Sequence, residues 1–347
     1  MFPSPRRATP LANDVDAASI RAGAAVVTAA AAAGVPPITR LSDEPVLGVS
    51  LGQVRLLRLD QLHVDAPGNK WFKLEGWLAR ARRDGVLRLV SCGGAWSNHL
   101  HALAAVGYRE GLETVGIVRG EAAEQPSAML RDAARWGMKI VHVTRAEYRR
   151  RSDPGWQAGI VARFAPCLFI PEGGAAPIGV SGSRAIGALV RAAFPRPLPV
   201  YLAVGTGTTL AGMALELGPD WALTGVSALR DADGLHRAVT AMAGASGAGG
   251  AARWQLLDDA HCGGFARVSA GLREVMLAFE AAQGIRLEPV YTGKVLFALH
   301  ARLGRGDLPR RQPVLAIHTG GLQGRRGFPW LRMADAAFTR GSASPPG

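Results

Sequence analysis

Short apolar runs alternate with segments of helical periodicity along most of the chain, and this alternation restricts the possible folds more than any other feature. Residues 114–118, 198–204 and 314–317 are apolar at most successive positions, without the polar alternation of a half-exposed strand. Strands of this kind are buried on both faces, and when helices separate them they form parallel sheets. The sequence therefore predicts an α/β fold with parallel-sheet cores.

The same pattern predicts where the elements lie. We predict strands at residues 87–92, 114–118, 139–143, 167–170, 198–204, 221–226 and 314–317, and helices from about residue 98, at residues 127–136 and 183–194, and after the glycine-rich stretch that begins at Gly205. The length of 347 residues suggests about two domains. Residues 17–34 are expected to be helical, residues 243–252 to form a loop and residues 341–347 to form a loose tail.

Composition excludes several classes of protein. With 48% hydrophobic and 19% charged residues, the chain is neither disordered nor collagen-like. The net charge is +13, but the basic residues are scattered and only 6% of residues are aromatic, so we expect no nucleic-acid partner. The sequence has no apolar run of about 18 residues, so no membrane span is expected. Three cysteines outside any CxxC pair fit a reducing compartment, and we expect a cytoplasmic protein.

Lysine is rare in this chain. Only four of the 40 cationic residues are lysines, and two of them, Lys70 and Lys73, stand three positions apart. A lysine amine, unlike an arginine guanidinium, loses its proton and attacks a carbonyl carbon to form a Schiff base. Chance survival of lysines on a solvated surface is the alternative interpretation. The functional interpretation is that the chain keeps lysine where it needs a primary amine.

A glycine-rich stretch follows the predicted strand at residues 198–204. Gly205, Thr206, Gly207, Thr208 and Thr209 open a predicted helix, and N–H groups and hydroxyls at a helix N-terminus bind phosphate. The stretch lacks the lysine of a Walker loop and the third glycine of a dinucleotide fingerprint. A cup for a single phosphate and an ordinary strand-to-helix turn remain as interpretations.

A second stretch, from Gly93 to His99, also follows a predicted strand. Ser97 or Asn98 is a suitable N-cap for the helix that follows, and the functional alternative is a loop whose donors hold a carboxylate. His99 and His101 stand two positions apart without a carboxylate-rich motif, so we expect no metal site.

A Schiff-base lysine, a cup for one phosphate and several loops after parallel strands together describe a candidate pyridoxal-phosphate site. The phosphate would lie in the cup, and the aldehyde carbon would bond to Lys70. Tyr291 is either part of the core or a proton donor.

Six sequence blocks, in the same order, resemble the 1-aminocyclopropane-1-carboxylate deaminase and D-cysteine desulfhydrase family. The blocks are GNKWFKLEGWL, GGAWSNHLHALAAVG, IPEGG, GTGTTLAGM, EPVYTGK and LAIHTGGLQG, and the resemblance covers about residues 50–330. It implies a two-domain, tryptophan-synthase-β-like fold (fold type II) with pyridoxal phosphate in the interdomain cleft. It also implies a large domain at residues 41–72 and 172–340, a small domain at residues 73–171, an N-terminal extension at residues 1–40, and a homodimer.

The resemblance implies a role for each candidate site residue. Lys70 is the Schiff-base lysine and general base, and Lys73 contacts the cofactor phosphate. The phosphate cup comprises Gly205, Thr206, Gly207, Thr208 and Thr209. Asn98 lies against the cofactor, and the substrate carboxylate is held by Ser97, Asn98 and His99. Ser97 is also a candidate catalytic residue. Tyr291 is a candidate acid or base, and Thr292 faces the pyridine nitrogen.

Two positions bear on the reaction. A threonine at Thr292, as in the D-cysteine desulfhydrase branch, implies a neutral pyridine nitrogen and an easier elimination with a good leaving group. Phe265, in the substrate pocket, stands where the deaminases have a catalytic tyrosine, and phenylalanine has no hydroxyl to transfer a proton. We therefore expect a lyase that converts D-cysteine or a related small amino acid to a keto acid and ammonia. The alternatives are a 1-aminocyclopropane-1-carboxylate deaminase and a non-catalytic protein that binds pyridoxal phosphate.

Overall fold

Two mainly parallel sheets form the framework of the molecule. The computed structural model describes residues 35–63, 66–244, 251–309 and 312–332, together with Asp335. The predicted N-terminal helix, the predicted tail and most of the predicted loop at residues 243–252 lie outside these residues.

The strands within the described residues are β1 (Ile38–Arg40), β2 (Val54–Arg58), β3 (Arg88–Gly93), β4 (Glu113–Arg119), β5 (Lys139–Val143), β6 (Leu168–Ile170), β7 (Val200–Val204), β8 (Ala222–Ser227), β9 (Arg253–Leu257) and β10 (Val314–His318). One sheet has six strands in the order β1-β2-β10-β7-β8-β9, and the other has four in the order β5-β4-β3-β6. Only the β1–β2 pair is antiparallel among the pairings of the described strands. The predicted α/β fold with parallel-sheet cores is confirmed.

The helices within the described ranges are α1 (Asn69–Asp84), α2 (Asn98–Glu110), α3 (Ala128–Arg135), α4 (Arg145–Tyr148), α5 (Pro154–Phe164), α6 (Pro177–Ala193), α7 (Thr208–Leu217), α8 (Ala232–Gly244), α9 (Ala270–Gln283) and α10 (Thr292–Arg305). Short 3-10 turns lie at Leu59–Gln61, Glu172–Gly174 and Leu322–Gly327. In this part of the chain no helix combines the length and the apolar content needed to cross a membrane.

All seven predicted strands are present, with ends displaced by at most two residues. Alternate residues of each strand enter cores on opposite faces of the sheet. Leu315 and Ile317 face one core and Val314 and Ala316 face the other, which explains why β10 reads as a continuous apolar run. Strands β1, β2 and β9 were not predicted from hydrophobic periodicity. β1 belongs to the six-stranded sheet, so this sheet begins before the predicted boundary at residue 41.

The predicted boundary between residues 72 and 73 falls inside helix α1. Phe72, in the first turn, packs into a core of the six-stranded sheet, whereas Leu74, Trp77 and Leu78 pack into a core of the four-stranded sheet. The strands of the four-stranded sheet all lie within residues 73–171. The division into a large and a small domain stays a prediction, and α1 joins the two cores.

Helix α6 begins at Pro177, six residues before its predicted start. The glycines at its beginning look like loop residues in the sequence, but two of them allow close packing. A Cβ on Gly179 would lie 2.1 Å from the carbonyl oxygen of Gly174, and a Cβ on Gly182 would lie 2.0 Å from that of Phe72. Backbone therefore packs on backbone where α6 meets α1.

Replacing Gly182 with alanine should destabilise the protein, because the new methyl group would force α1 and α6 apart. Overpacking of this kind costs about 1–3 kcal/mol in the free energy of unfolding, which lowers the midpoint of thermal or urea denaturation. The matched control is Gly159→Ala inside α5, where nothing lies within 4 Å of the Cβ position. That substitution should gain up to about 1 kcal/mol. Equal effects of the two substitutions would contradict the close approach.

Candidate active site

A cavity of about 2650 Å³ lies between the two sheets. It is lined by the start of α1 and by the loops that follow β3, β6, β7 and β10, together with Tyr291 just before α10. These loops leave the carboxyl ends of parallel strands, which is where open α/β sheets bind ligands.

Lys70 lies in the first turn of α1 and reaches this cavity. Its Nζ donates to Oδ1 of Asn69 at 3.0 Å, and Nδ2 of Asn69 donates to Oγ1 of Thr209 at 2.9 Å. Burial lowers the pKa of the Lys70 amine to about 8, although the nearby Glu288 opposes the shift. A neutral amine, the form that attacks a carbonyl carbon, is thus accessible close to neutral pH.

A close backbone contact positions Lys70. Gly68 has a φ of +89°, and a Cβ there would lie 2.1 Å from the carbonyl oxygen of Thr319. The N–H of Asn69 donates to the same oxygen at 3.2 Å. Only glycine fits this contact, which places the start of α1 against the loop after β10.

Lys73 is buried one turn further along α1. Its Nζ donates to the carbonyl oxygen of Gly173 at 3.3 Å, and no ion pair to it is formed within the described residues. Burial, followed by the charge of Lys70, holds the pKa of Lys73 well below its ordinary value. A Cβ on Gly173 would lie 2.8 Å from Thr206, so Lys73 stands directly behind the predicted phosphate cup.

The predicted cup has the geometry of an anion site. Thr206 and Thr208 share a hydrogen bond of 2.9 Å between their hydroxyls, and Gly207 has a φ of +85° where the loop enters α7. Gly205, Thr206, Gly207 and Thr209 line the cavity, whereas Thr208 does not. The N–H groups in the first turn of a helix have no partners within the helix, and the first turn of α7 borders the cavity at Thr209 and Leu210.

Two side chains at the start of α2 keep donors for a carboxylate. Oγ of Ser97 accepts the N–H of Leu100 at 3.2 Å as the N-cap, which leaves the Ser97 hydroxyl proton available. Oδ1 of Asn98 accepts from Nε2 of Gln323 at 2.6 Å, which leaves Nδ2 as the donor. The two residues line the cavity, as expected for substrate-binding positions.

His99 differs from the prediction. The hydroxyl of Ser91 donates to the carbonyl oxygen of Ile170 at 2.7 Å, so Nε2 of His99 must donate to that hydroxyl at 3.0 Å. Burial and then the charges of Lys70 and Lys73 lower the pKa of His99 to about 3, and its buried Nδ1 has no partner in the described chain. A neutral imidazole whose only N–H is occupied has no donor for a carboxylate.

Tyr291 stands over the cavity beside Lys70. Nζ of Lys70 lies 6.0 Å from the centre of the Tyr291 ring, and the tyrosine hydroxyl lies 3.3 Å from the Cβ position of Gly205. The buried carboxylate of Glu288 accepts the N–H groups of Val290, Tyr291 and Thr292 at 2.9, 2.6 and 2.8 Å. Burial, followed by the charge of Glu288, raises the pKa of the Tyr291 hydroxyl, so it stays protonated near neutral pH.

Thr292 does not reach the cavity. Its side chain is buried, and its hydroxyl accepts the N–H of Glu288 at 3.0 Å and donates to the carbonyl oxygen of Glu288 at 3.3 Å. The Thr292 hydroxyl is therefore turned toward Glu288 and away from the cavity, and its role at a pyridine nitrogen stays a prediction. Thr319, at the end of β10, does line the cavity and was not selected from the sequence. Its position directly after a predicted parallel strand was the available signal.

Phe265 lies across the cavity from Tyr291, with ring centres 6.2 Å apart and a T-shaped arrangement. Half of its surface is exposed. Nζ of Lys294 donates to the carbonyl oxygens of Gly264 at 2.8 Å and Ala228 at 3.2 Å, and so it holds the Phe265 loop. Three of the four lysines, all but Lys139, thus lie in or next to this cavity.

The residues present suit a phosphorylated aromatic aldehyde. Lys70 supplies an amine of lowered pKa, and the start of α7 supplies N–H groups and hydroxyls for a phosphate. The buried Lys73, whose amine has no carboxylate partner in the described residues, lies behind the same space, where a bound anion would stabilise its charged form. Fold and site together define a pyridoxal-phosphate enzyme of fold type II.

The comparison with protein families agrees with this class. Residues 37–320 match the family described as pyridoxal-phosphate dependent enzyme, which is well over half of the chain. The protein belongs to this family, and its cofactor is pyridoxal phosphate.

Three similar proteins extend the comparison. The D-cysteine desulfhydrase of Salmonella choleraesuis (strain SC-B67) is 29% identical over 300 residues, which cover 82% of this chain and 91% of that protein. A putative 1-aminocyclopropane-1-carboxylate deaminase of Pyrococcus abyssi is 28% identical over 307 residues, covering 83% and 88%. The crystal structure of an ACC deaminase homologue shares the fold, with a TM-score of 0.74, 24% identity and coverage of 86% and 93%. The expected family resemblance is confirmed.

The rate at which the cofactor becomes attached to Lys70 should rise with pH around a midpoint near 8. Because the folded-state pKa is lowered to about 8, about a tenth of the amines are neutral at pH 7, against about 0.03% for an ordinary lysine. The cofactor-free protein is mixed with pyridoxal phosphate at pH 6–10, reduced with borohydride, and the Lys70 peptide is quantified by mass spectrometry. Labelling of the exposed Lys139 is the internal reference. A rate that keeps rising to pH 10 would contradict the assigned pKa.

Proposed function

We propose that this enzyme catalyses α,β-elimination on a small amino acid, with D-cysteine as the first candidate substrate. D-cysteine and one water would give pyruvate, ammonia and hydrogen sulfide, with no oxidant or reductant. The name of the Salmonella relative supports this substrate, and so does the absence of a hydroxyl at Phe265.

The observation that carries the proposal is the Lys70 amine, whose pKa is lowered to about 8 and which faces Tyr291 across the cavity. An amine with a pKa close to the working pH both accepts and returns a proton efficiently. In this proposal Nζ of Lys70 takes the Cα proton of the substrate. The protonated Tyr291 hydroxyl is the acid at the leaving group on Cβ.

The remaining site residues bind and orient. The bound cofactor supplies the electron sink that stabilises negative charge at Cα. The loop before α7 and the first residues of α7, at Gly205, Thr206, Gly207, Thr208 and Thr209, would hold its phosphate, with Lys73 behind it as a positive charge. Ser97 and Asn98 would hold the substrate carboxylate through the Ser97 hydroxyl and Nδ2 of Asn98. Thr319, which lines the cavity, would take the role first expected of Thr292.

Replacing Lys70 with alanine should lower turnover of D-cysteine by at least about a thousandfold, because both the attachment point and the proton acceptor are lost. Sulfide and pyruvate are measured after incubation with pyridoxal phosphate. Lys139→Ala removes an exposed lysine on β5 and should leave activity unchanged. Full activity of the Lys70 variant would refute the assignment.

The deaminase is the second candidate, since the relative from Pyrococcus and the ACC deaminase homologue both resemble the chain. Phe265 argues against it, because its ring lies 6.2 Å from that of Tyr291 and offers no proton.

The proposal includes a homodimer, which sedimentation analysis would test. A purely non-catalytic role is not favoured, since the amine, cup and tyrosine are all present in one cavity.

Replacing Phe265 with tyrosine should raise any conversion of 1-aminocyclopropane-1-carboxylate to 2-oxobutyrate by at least about tenfold, because it adds a proton-transferring hydroxyl beside Tyr291. Phe297→Tyr, on α10 outside this cavity, is the matched control. Rapid 2-oxobutyrate formation by the unchanged enzyme would instead favour the deaminase over the elimination of D-cysteine.

A further inference from the structure

Three arginines gather at the carboxyl edge of the four-stranded sheet, and the proposed elimination gives them no role. Arg119 is the last residue of β4, Arg145 is the first of α4, and Arg151 follows α4. All three line the cavity that contains Lys70. The guanidinium carbons of Arg119 and Arg151 lie 5.9 and 5.2 Å from the ring centre of Tyr148.

The positive charge of this cluster is not balanced by the described residues around it. Glu172 accepts from the Tyr148 hydroxyl at 2.7 Å and pairs with Arg151, so its carboxylate is already occupied. Arg119 and Arg145 form no ion pair within the described chain. Each guanidinium therefore keeps its donors for a ligand, and guanidinium donors match carboxylate, sulfonate and phosphate oxygens.

The cluster lies beside the loop that carries Ser97. Gly93 pairs with Val118 in the sheet register, so Arg119 stands next to Gly94, and its Nη2 lies 3.8 Å from the Cβ position of Gly94. The N–H of Ser97 donates to the carbonyl oxygen of Gly94 at 3.0 Å, so this turn separates the arginine from the donors for the substrate carboxylate.

Arg145 stands beside Arg119. Val143 pairs with Arg119 in the sheet, and Arg145 follows two residues later. Its Nε lies 4.0 Å from the Cβ position of Gly120, the residue after Arg119. Two neighbouring strand ends thus each supply one arginine to this edge of the sheet.

We propose that Arg119 and Arg145 bind an anionic group on the side chain of the substrate, so that the enzyme acts on amino acids with a negatively charged β-substituent. This inference rests on the proposed elimination and adds the chemical class of its substrate. A substrate held by Ser97 and Asn98 at its carboxylate would direct its second anion to the neighbouring strand ends.

O-phosphoserine is a probe for this class. In its elimination the Cα–H and Cβ–O bonds break, Nζ of Lys70 takes the proton, and the Cβ–O electron pair leaves with the phosphate. After hydrolysis, O-phosphoserine and one water give pyruvate, ammonia and inorganic phosphate, which balances without an oxidant. O-acetylserine is the uncharged counterpart, with a good leaving group at the same carbon.

The experiment compares the holoenzyme with its Arg119→Gln, Arg145→Gln and double variants on D-cysteine and on both enantiomers of the two serine esters. We expect the wild type to prefer O-phosphoserine. Each single substitution should lower kcat/KM for O-phosphoserine by about tenfold to a hundredfold, mostly through KM, with less than about a twofold change for D-cysteine. Arg196→Gln is the matched control, because Arg196 is exposed, forms no ion pair with the described residues and lies away from the cavity.

Binding of O-phosphoserine, measured by calorimetry and by the visible absorption of the bound cofactor, separates this inference from the function on which it rests. If D-cysteine turns over but O-phosphoserine binds no more tightly than O-acetylserine, the anion site is refuted and the elimination stands. Equal losses on all substrates in the arginine variants would also refute it. If O-phosphoserine binds through both arginines and no substrate yields pyruvate, the anion site stands and the proposed elimination fails.

Discussion

Helix α1 is the element on which the site depends, because it belongs to both cores. Phe72 packs beneath the six-stranded sheet, whereas Trp77 and Leu78 pack beneath the four-stranded one. Two backbone contacts fix its first turns, one between Gly68 and Thr319 and the other between Gly182 and Phe72. A shift of α1 would break both contacts and open both cores. The position of the Lys70 amine is therefore set by packing on either side of the cavity.

Burying the amines of Lys70 and Lys73 at the start of α1 has an electrostatic cost, and this cost lowers their pKa values. Burying an ammonium group without a carboxylate is unfavourable, so the pKa of Lys70 falls to about 8 and that of Lys73 falls well below its ordinary value. A bound phosphate would offset the cost at Lys73, while Lys70 keeps a neutral amine for reaction. Glu288 compensates the buried positive charge only in part. Its own burial raises its pKa to about 7, and its oxygens accept the N–H groups at the start of α10.

The sequence predicted most strands well, because a strand that is buried on both faces is apolar at successive positions. It also singled out Lys70, Ser97, Asn98, the threonine-rich cup and Tyr291 as candidates, and the structure places all of them except Thr208 of the cup around one cavity. It failed where glycine had a packing role. The glycines at the start of α6 resemble a loop, and only the contact with α1 shows why a helix retains them. Strand β9, with its alternating exposure, and the three-residue β1 gave weaker periodic signals.

The amino-acid sequence by itself determined the α/β architecture, the class of cofactor and a candidate Schiff-base lysine, because these follow from local periodicity and from residue chemistry. Only the tertiary structure decided which polar groups face the cavity. The Thr292 hydroxyl turns back to Glu288, and the imidazole N–H of His99 is used by Ser91, so neither side chain presents a free donor to the cavity. Arg119 and Arg145 come together only because β4 and β5 are neighbours in register. Hydrogen-bond competition and strand pairing act between residues distant in sequence, and local patterns do not record them.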